Sequence, residues 1–290
     1  MVSSPPPALR SQDLVFTLYG DYLLDRPAPV WVGSLIVLLG RLGLSSPAVR
    51  TVLSRMTRKG WLTAEPRSHY GLTARGRRLL EEGRERIYHP PRHEPWGGAW
   101  YLVTYSIPEA RRRLRDLLRV KLAWLGCGSL SNGVWISPHD VRREVREIAE
   151  SLRVSRHLEV FRAEHLGFAT TEELVGRCWD LAAVNRRYTA FLARWTPELD
   201  RCRRCQTGQG RHGPGCEEPA ECFVRRFRLV HEYRAFPLVD PYLPSRLLPG
   251  DWRGEAAARL FEACHDQLAE PARRYVAQVC SDAERTAAAA

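Results

Sequence analysis

The sequence predicts a multidomain α+β protein, and three observations carry that class. Helical periodicity runs through residues 13–58 and gives way to two short strand-like pieces before residue 73. Beyond a Pro- and Gly-rich break at residues 89–98, strand-like and helix-like segments alternate as β-α-β-β-α-β up to residue 166. From residue 174 the apolar pattern is helical again, interrupted by a cysteine-bearing loop and a proline-punctuated stretch.

Composition sets the outer limits. A chain of 290 residues with 44% hydrophobic content can fill more than one core. Its longest apolar run, Val30 to Gly40, falls short of the roughly 20 residues that span a bilayer, and the start "MVSSPPPALR" has no hydrophobic signal core. A soluble cytoplasmic protein with no membrane partner is expected. A net charge of +11 and a pI near 9.6 favour an anionic partner. Only Lys59 and Lys121 are lysines, however, and genome composition alone can produce such an arginine bias, so placement has to decide. Eight cysteines without an export signal argue against a disulfide scaffold.

A flexible tail is expected at 1–12. "DLVFTLYGDYLL" (13–24) and "WVGSLIVLLGRL" (31–42) read as two mostly buried helices. Gly43 ends the second, Ser46 can cap a third, and Pro47 suits its first turn. On that third helix Val49, Val52, Leu53 and Met56 form one apolar stripe, which turns Arg50, Thr51, Ser54, Arg55 and Arg58 outward. "WLTAE" and "YGLT" pair across a turn at "PRSH", and Thr73 caps the helix "ARGRRLLEEGRERI". Three helices, a hairpin and a helix make a winged helix over 13–88. In that architecture the third helix enters the DNA major groove, where arginine bonds guanine and Ser or Thr reaches bases or phosphate. Ser46, Arg50, Thr51, Ser54, Arg55 and Arg58 are therefore the candidate DNA-binding residues, with Arg67, Ser68 and His69 at the wing tip. The bland alternative is a small helical domain with a solvated arginine face.

Residues 89–98 read as a linker. "AWYLVTYSI" (99–107) is a strand, and "PEARRRLRDLLRVKLAWLG" a helix with Leu114, Leu117, Leu118, Leu122 and Leu125 inward and Arg111, Arg112, Arg115 and Arg119 outward. A hairpin around Asn132-Gly133, a helix with Val141, Val145, Ile148 and Leu152 inward, and the strand "HLEVFRAEHL" complete a ferredoxin-like βαββαβ domain over 99–169. A metal-dependent nuclease of this shape needs an aspartate at the end of the first strand, where this chain has Ser106. Glu109 suits the helix dipole, and His139, Asp140, His157 and His165 lack ligand spacing, so no catalytic residues are expected.

Residues 170–280 form a mostly α-helical C-terminal domain, followed by a flexible tail at 281–290. Leu174, Cys178, Leu181, Asn185, Tyr188, Leu192 and Trp195 make a helical seam, and Trp179 and Phe191 broaden it toward an internal core rather than a dimer interface. The loop at 200–222 carries Cys202, Cys205, Cys216 and Cys222 as C-x2-C-x10-C-x5-C. Its first half fits thiolate spacing for a structural zinc and its second half is looser, against a reading of incidental thiols. The prolines at 237, 241, 244 and 249 keep the following stretch extended, to wrap the domain or line a pocket; "EAAARLFEACHDQLAEPARRYVAQV" closes it as helix.

"LVFTLYGDYLL" and "SSPAVRTVLSRMTRKGWL", then "WYLVTYSIPEARRRLRDLLR", "GSLSNGVWISP", "CWDLAAVNRRYTAFLARW" and "VHEYRAFPLVDPYLPSRLLPGDW", together resemble the phenylacetic-acid-degradation repressor (PaaX) family across nearly the full length. The resemblance implies a homodimeric winged-helix transcriptional repressor of an aromatic-acid catabolic operon. Its central domain looks like the small CRISPR-associated nuclease fold without the activity. The implied partners are double-stranded operator DNA and a releasing effector, phenylacetyl-coenzyme A or a related acyl-CoA; no cofactor is required. The cysteine loop departs from the family pattern and leaves room for a zinc or thiol input. A zinc- or thiol-responsive regulator and a metal-dependent nuclease are the alternatives.

Overall fold

The computed structural model describes residues 10–89, 95–206 and 218–289. Their packing does not follow chain order. The described residues of 1–89, 191–234 and 256–290 form one compact unit, and those of 90–190 and 235–255 form a second.

In the first unit, α1 (Ser11–Leu18) runs on as one π-helical turn over Tyr19–Leu23. The next expected helix begins later than its apolar run, because Val30 and Trp31 form a short strand β1 before α2 (Val32–Gly40). Next comes α3 (Ser46–Arg58), with Gly60 at φ +70 closing its end: the Trp61 N–H donates to the Met56 carbonyl and the Gly60 N–H to that of Thr57. Strands β2 (Leu62–Glu65) and β3 (His69–Leu72) pair antiparallel from Leu62↔Leu72 to Glu65↔His69. Strand β1 adds to the far side of β3, giving the order β1-β3-β2. Then α4 (Ala74–Tyr88) starts at Thr73, whose hydroxyl accepts the Gly76 N–H at 3.0 Å. This is the expected winged helix.

The winged helix shares its core with distant helices. Val49, Val52, Leu53 and Met56 pack with α1, α2 and also with Phe223, Phe227, Ala272 and Val276. Those residues come from α9 (Pro219–Tyr233) and α11 (Ala269–Ala289), and α10 (Gly254–Gln267) lies between them in sequence. The final helical stretch is thus two helices, and the second continues through Ala289, past the end expected of it.

One polar link crosses this core. Asp21 Oδ2 pairs with Arg226 Nη1 at 2.6 Å, with only 4% and 1% of the two side chains exposed. The Tyr88 hydroxyl donates to Asp21 Oδ1 at 2.9 Å, and the Arg226 guanidinium also donates to His265 Nε2. Burial pushes the Asp21 carboxyl up, but His265, whose Nε2 lies 3.6 Å from Oδ1, and the Arg226 charge outweigh it and hold it below the usual carboxylate range.

The second unit is a four-stranded antiparallel sheet, β4 (Ala99–Tyr105), β5 (Gly128–Ser131), β6 (Val134–Ser137) and β7 (Leu158–Glu164), in the order β5-β6-β4-β7. That order is the ferredoxin-like arrangement. Helices α5 (Arg112–Trp124) and α6 (Arg142–Ser151) cover one face through Leu118, Leu122, Val141 and Val145. Leu117, expected inward on α5, is instead 43% exposed, because Leu118 and Leu122 already fill the contact with the sheet.

The other face meets α7 (Thr171–Cys178) through Leu174 and Val175. The single seam helix expected from Leu174 to Trp195 is broken after Cys178. Trp179 is extended (φ −138, ψ 135), and Asp180 caps a new helix, α8 (Leu181–Gln206), by accepting the Ala183 N–H at 2.9 Å. A capping carboxylate satisfies an orphan N–H that a continuous helix would not have. The seam residues Leu181, Asn185, Tyr188 and Trp195 are buried within the chain itself, whereas Cys178, read as a buried hydrophobe, is half-buried.

Two expected outcomes follow from this packing. Val52→Ala deletes methyls that are 1% exposed and should lower stability by about 1–3 kcal/mol in chemical denaturation; a surface-like loss near zero would place α3 the wrong way round. His231 on α9 shares a 2.9 Å hydrogen bond with the Thr17 hydroxyl, and burial and then Arg234 push its imidazole down from 6.5 to about 4. Between those values the unfolded chain binds a proton that the folded chain does not, so stability falls as pH drops through that window. His231→Asn should flatten this part of the curve of melting temperature against pH; an unaltered slope would assign it elsewhere.

Candidate nucleic-acid interface

The α3 surface is set by its first turn and its apolar stripe. Ser45, not Ser46, is the cap: its hydroxyl accepts the Ala48 N–H at 3.4 Å. Pro47 lacks an N–H to offer, so the chain enters the helix one residue earlier, and Ser46 sits half-buried inside it. With Val49, Val52, Leu53 and Met56 buried, Arg50, Thr51, Ser54, Arg55 and Arg58 all stand exposed on the opposite side, as their spacing predicts. Arg55 and Arg58 occupy the last turn, where a cation also complements the helix dipole. The Thr51 hydroxyl donates to the Pro47 carbonyl at 2.8 Å, so it faces solvent as an acceptor with a methyl group. Lys59, just past the helix end, is exposed and donates to Gln12 Oε1 at 3.1 Å.

The wing is fixed at its root and strained at its tip. At the root, Thr73 Oγ1 donates to the Gly60 carbonyl at 2.8 Å, and the Arg75 guanidinium lies 4.1 Å over the Trp61 ring. Gly76 is required there, since a Cβ would come within 2.2 Å of the Trp61 carbonyl oxygen. At the tip, Arg67 (φ 55) and Ser68 (φ 61) are both left-handed without being glycine. Such residues cost on the order of 1–2 kcal/mol each and are held by local bonds. His69 supplies them: its Nδ1 lies 3.1 Å from both the Pro66 and the Arg67 carbonyl oxygens. His69 therefore shapes the turn, while Arg67 and Ser68 are exposed on it.

The cysteine loop is only partly visible. Cys202 and Cys222 are buried together against Leu268, while Cys216 and the Cys205 side chain lie outside the described residues. Cys264 of α10 is near Cys202, and burial pushes its thiol up to about 12. Among the described residues no group of three or more His, Cys, Asp or Glu side chains is placed to hold a metal, and no helix is long and apolar enough to cross a membrane. Ser106 is exposed just past β4, where a nuclease of this fold would need its aspartate.

Three family models match in chain order: "PaaX-like protein" over residues 10–76, "PaaX protein central Cas2-like domain" over 93–175 and "PaaX-like protein C-terminal domain" over 179–278. A protein of Escherichia coli (strain K12) described as "Transcriptional repressor PaaX" is 30% identical over 271 residues, covering 91% of this chain and 82% of that one. The chain belongs to the PaaX family. A solved structure, "Uncharacterized protein Rv0674 from Mycobacterium tuberculosis", aligns with a TM-score of 0.58 at 22% identity, over 92% of this chain and 99% of that chain, and so shares the fold.

The interface geometry of this PaaX-family chain makes separable demands on α3 and the wing. Arg55→Ala should keep the parent melting temperature and weaken binding to a specific site by about 1–3 kcal/mol. Arg67→Gly should melt no lower than the parent, since glycine accepts the left-handed backbone, yet bind DNA more weakly. Unchanged affinity of both variants in gel-shift titrations would show that this face is not the one that reads DNA.

Proposed function

We propose that the protein is a DNA-binding transcriptional repressor of an aromatic-acid (phenylacetate-type) catabolic operon. It holds double-stranded operator DNA as a homodimer and lets go when an aryl-acyl-coenzyme A, such as phenylacetyl-coenzyme A, binds. The observation that carries the reading is the outward α3 face, with Arg50, Ser54, Arg55 and Arg58 exposed beside a positively charged wing tip, in a chain 30% identical to a named repressor. A helix of this width fits the major groove, and arginine there donates two hydrogen bonds to guanine. A homodimer presents two such helices to two half-sites one helical turn apart. Release by the thioester requires that it bind the DNA-free state more tightly than the DNA-bound state.

The test is a gel-shift titration of purified protein on DNA from upstream of its own and neighbouring operons, with and without phenylacetyl-coenzyme A. Specific binding abolished by the thioester but not by free coenzyme A is the expected result. Absence of any specific complex would remove the repressor reading, and cleavage of the same DNA with Mg2+ or Mn2+ would replace it with a nuclease.

A further inference from the structure

The second unit contains a cavity of about 460 Å³ that the DNA-reading face does not use. Three segments far apart in sequence wall it: the end of α5 and the turn into β5, the α7–α8 break, and the stretch around Pro237–Pro241. Close backbone packing presets its shape. Gly126 has φ +82, and a Cβ on it would lie 2.8 Å from the Pro241 carbonyl oxygen; one on Gly128 would lie 2.6 Å from the Trp179 ring. The Trp179 indole N–H donates to the Gly126 carbonyl at 3.0 Å. Asp240 accepts the Tyr188 hydroxyl and the Tyr242 N–H, each at 2.7 Å, which fastens the proline stretch to α8. A site held in this way is formed before any ligand arrives, and its volume falls within the usual range of about 300–1,000 Å³ for small-molecule sites.

The lining says what would fit. Trp135 and Trp179 give aromatic walls, and the mouth is rimmed by Trp124, Leu238 and Val239, which are 45%, 62% and 39% exposed. Val120 and Leu117, one and two turns back along α5, extend this water-facing apolar surface. Both carboxylates in the lining are engaged: Asp240 as described, and Asp180 as the α8 cap. Arg187, exposed on the second turn of α8, is the cation of the lining. A flat apolar ring would enter the cavity, and an anionic tail would stay outside beside Arg187.

We propose that this cavity seats the aryl-acyl end of an aryl-acyl-coenzyme A, with Arg187 meeting an anionic group of the coenzyme at the mouth; the assignment rests on the effector reading given above. A neighbouring cleft of about 840 Å³ shares Trp179, Asp180 and Leu181, but it sets Arg186 and Arg246 against Glu172, Asp180 and Asp251. Charge does not separate the two, since each lining has one more carboxylate than arginine, but the cleft offers only Trp179 as an aromatic wall where the cavity has Trp124, Trp135 and Trp179, and it takes no part in the assignment.

The test is calorimetric titration of the full-length protein with phenylacetyl-coenzyme A and with free coenzyme A, repeated on Ala183→Phe, which fills the cavity, and on Trp124→Ala, at a half-exposed position where folding is not at stake. The thioester should bind wild type about tenfold or more tighter than free coenzyme A, and each variant should lose about tenfold in affinity for the thioester. Wild-type affinity in both variants overturns the cavity assignment while leaving the effector reading in place; equal affinity of wild type for thioester and free coenzyme A counts against both. Wild type that binds no thioester overturns both.

Discussion

Asp21 and Arg226 are 205 residues apart in sequence and meet at 2.6 Å in the interior of the first unit. Taking both charges out of water costs several kcal/mol per ion, and their attraction offsets this only with good geometry and further hydrogen bonds. The surroundings provide them: the Tyr88 hydroxyl bonds the carboxylate, His265 accepts from the guanidinium, and the Tyr22 ring lies 5.0 Å from Arg226 Cζ. Such a pair adds little net stability over a well-packed apolar one, but removing one partner strands the other at a cost of about 3–5 kcal/mol. Its effect is therefore to make one register of α1, α4, α9 and α10 far better than its neighbours. The π-turn at Tyr19–Leu23 belongs to the same constraint, since Asp21 lies within it.

The consequence for the proposed DNA-binding face is that α3 does not stand on a free domain. Its apolar stripe rests on helices from the N-terminal and C-terminal parts of the chain together, with Phe223 and Phe227 in the same core as Val52 and Met56. The polar face needs that platform, because exposed arginines on an isolated amphipathic helix of this length would not hold it helical. The wing follows the same logic on a smaller scale. Two left-handed residues at its tip are tolerated because His69 and the clamp around Trp61 over-determine the turn.

What the sequence made legible is what local rules govern. The α3 stripe, Thr73 as a cap, the hairpin around Pro66–Ser68 and the β-α-β-β-α-β order are set by neighbours within a few turns, and all are observed. The departures occur where a distant group wins. Helix periodicity runs on through Trp179, but Asp180 caps the following turn and the indole N–H finds the Gly126 carbonyl, so the helix breaks. Leu117 has the right period to be buried and is not, because Leu118 and Leu122 already fill the contact. The Asp21–Arg226 pair and the cavity have no local signature at all. Pro237 and Pro241, which wall the cavity, mark that stretch as irregular without saying what it lines.

Net arginine content decided little here; the positions of a few arginines decided more, and so does the path of one helix. Residues 181–190 of α8 belong to the second unit and include the cavity wall at Ala183, Val184 and Arg187; from Phe191 onward the same helix belongs to the first. There Trp195 donates to Glu232 of α9 at 3.1 Å, and α9 carries Arg226, the partner of Asp21. Pro197 lies within the helix just beyond, where its missing N–H leaves the ladder one bond short. Continuity of this kind is a route and not yet a coupling, since a ligand shifts an equilibrium only by its difference in affinity for two states. The energetic requirement is modest: a hundredfold loss of operator affinity needs about 2.7 kcal/mol of coupling, less than the about 3–5 kcal/mol at stake when one member of a buried ion pair loses its partner.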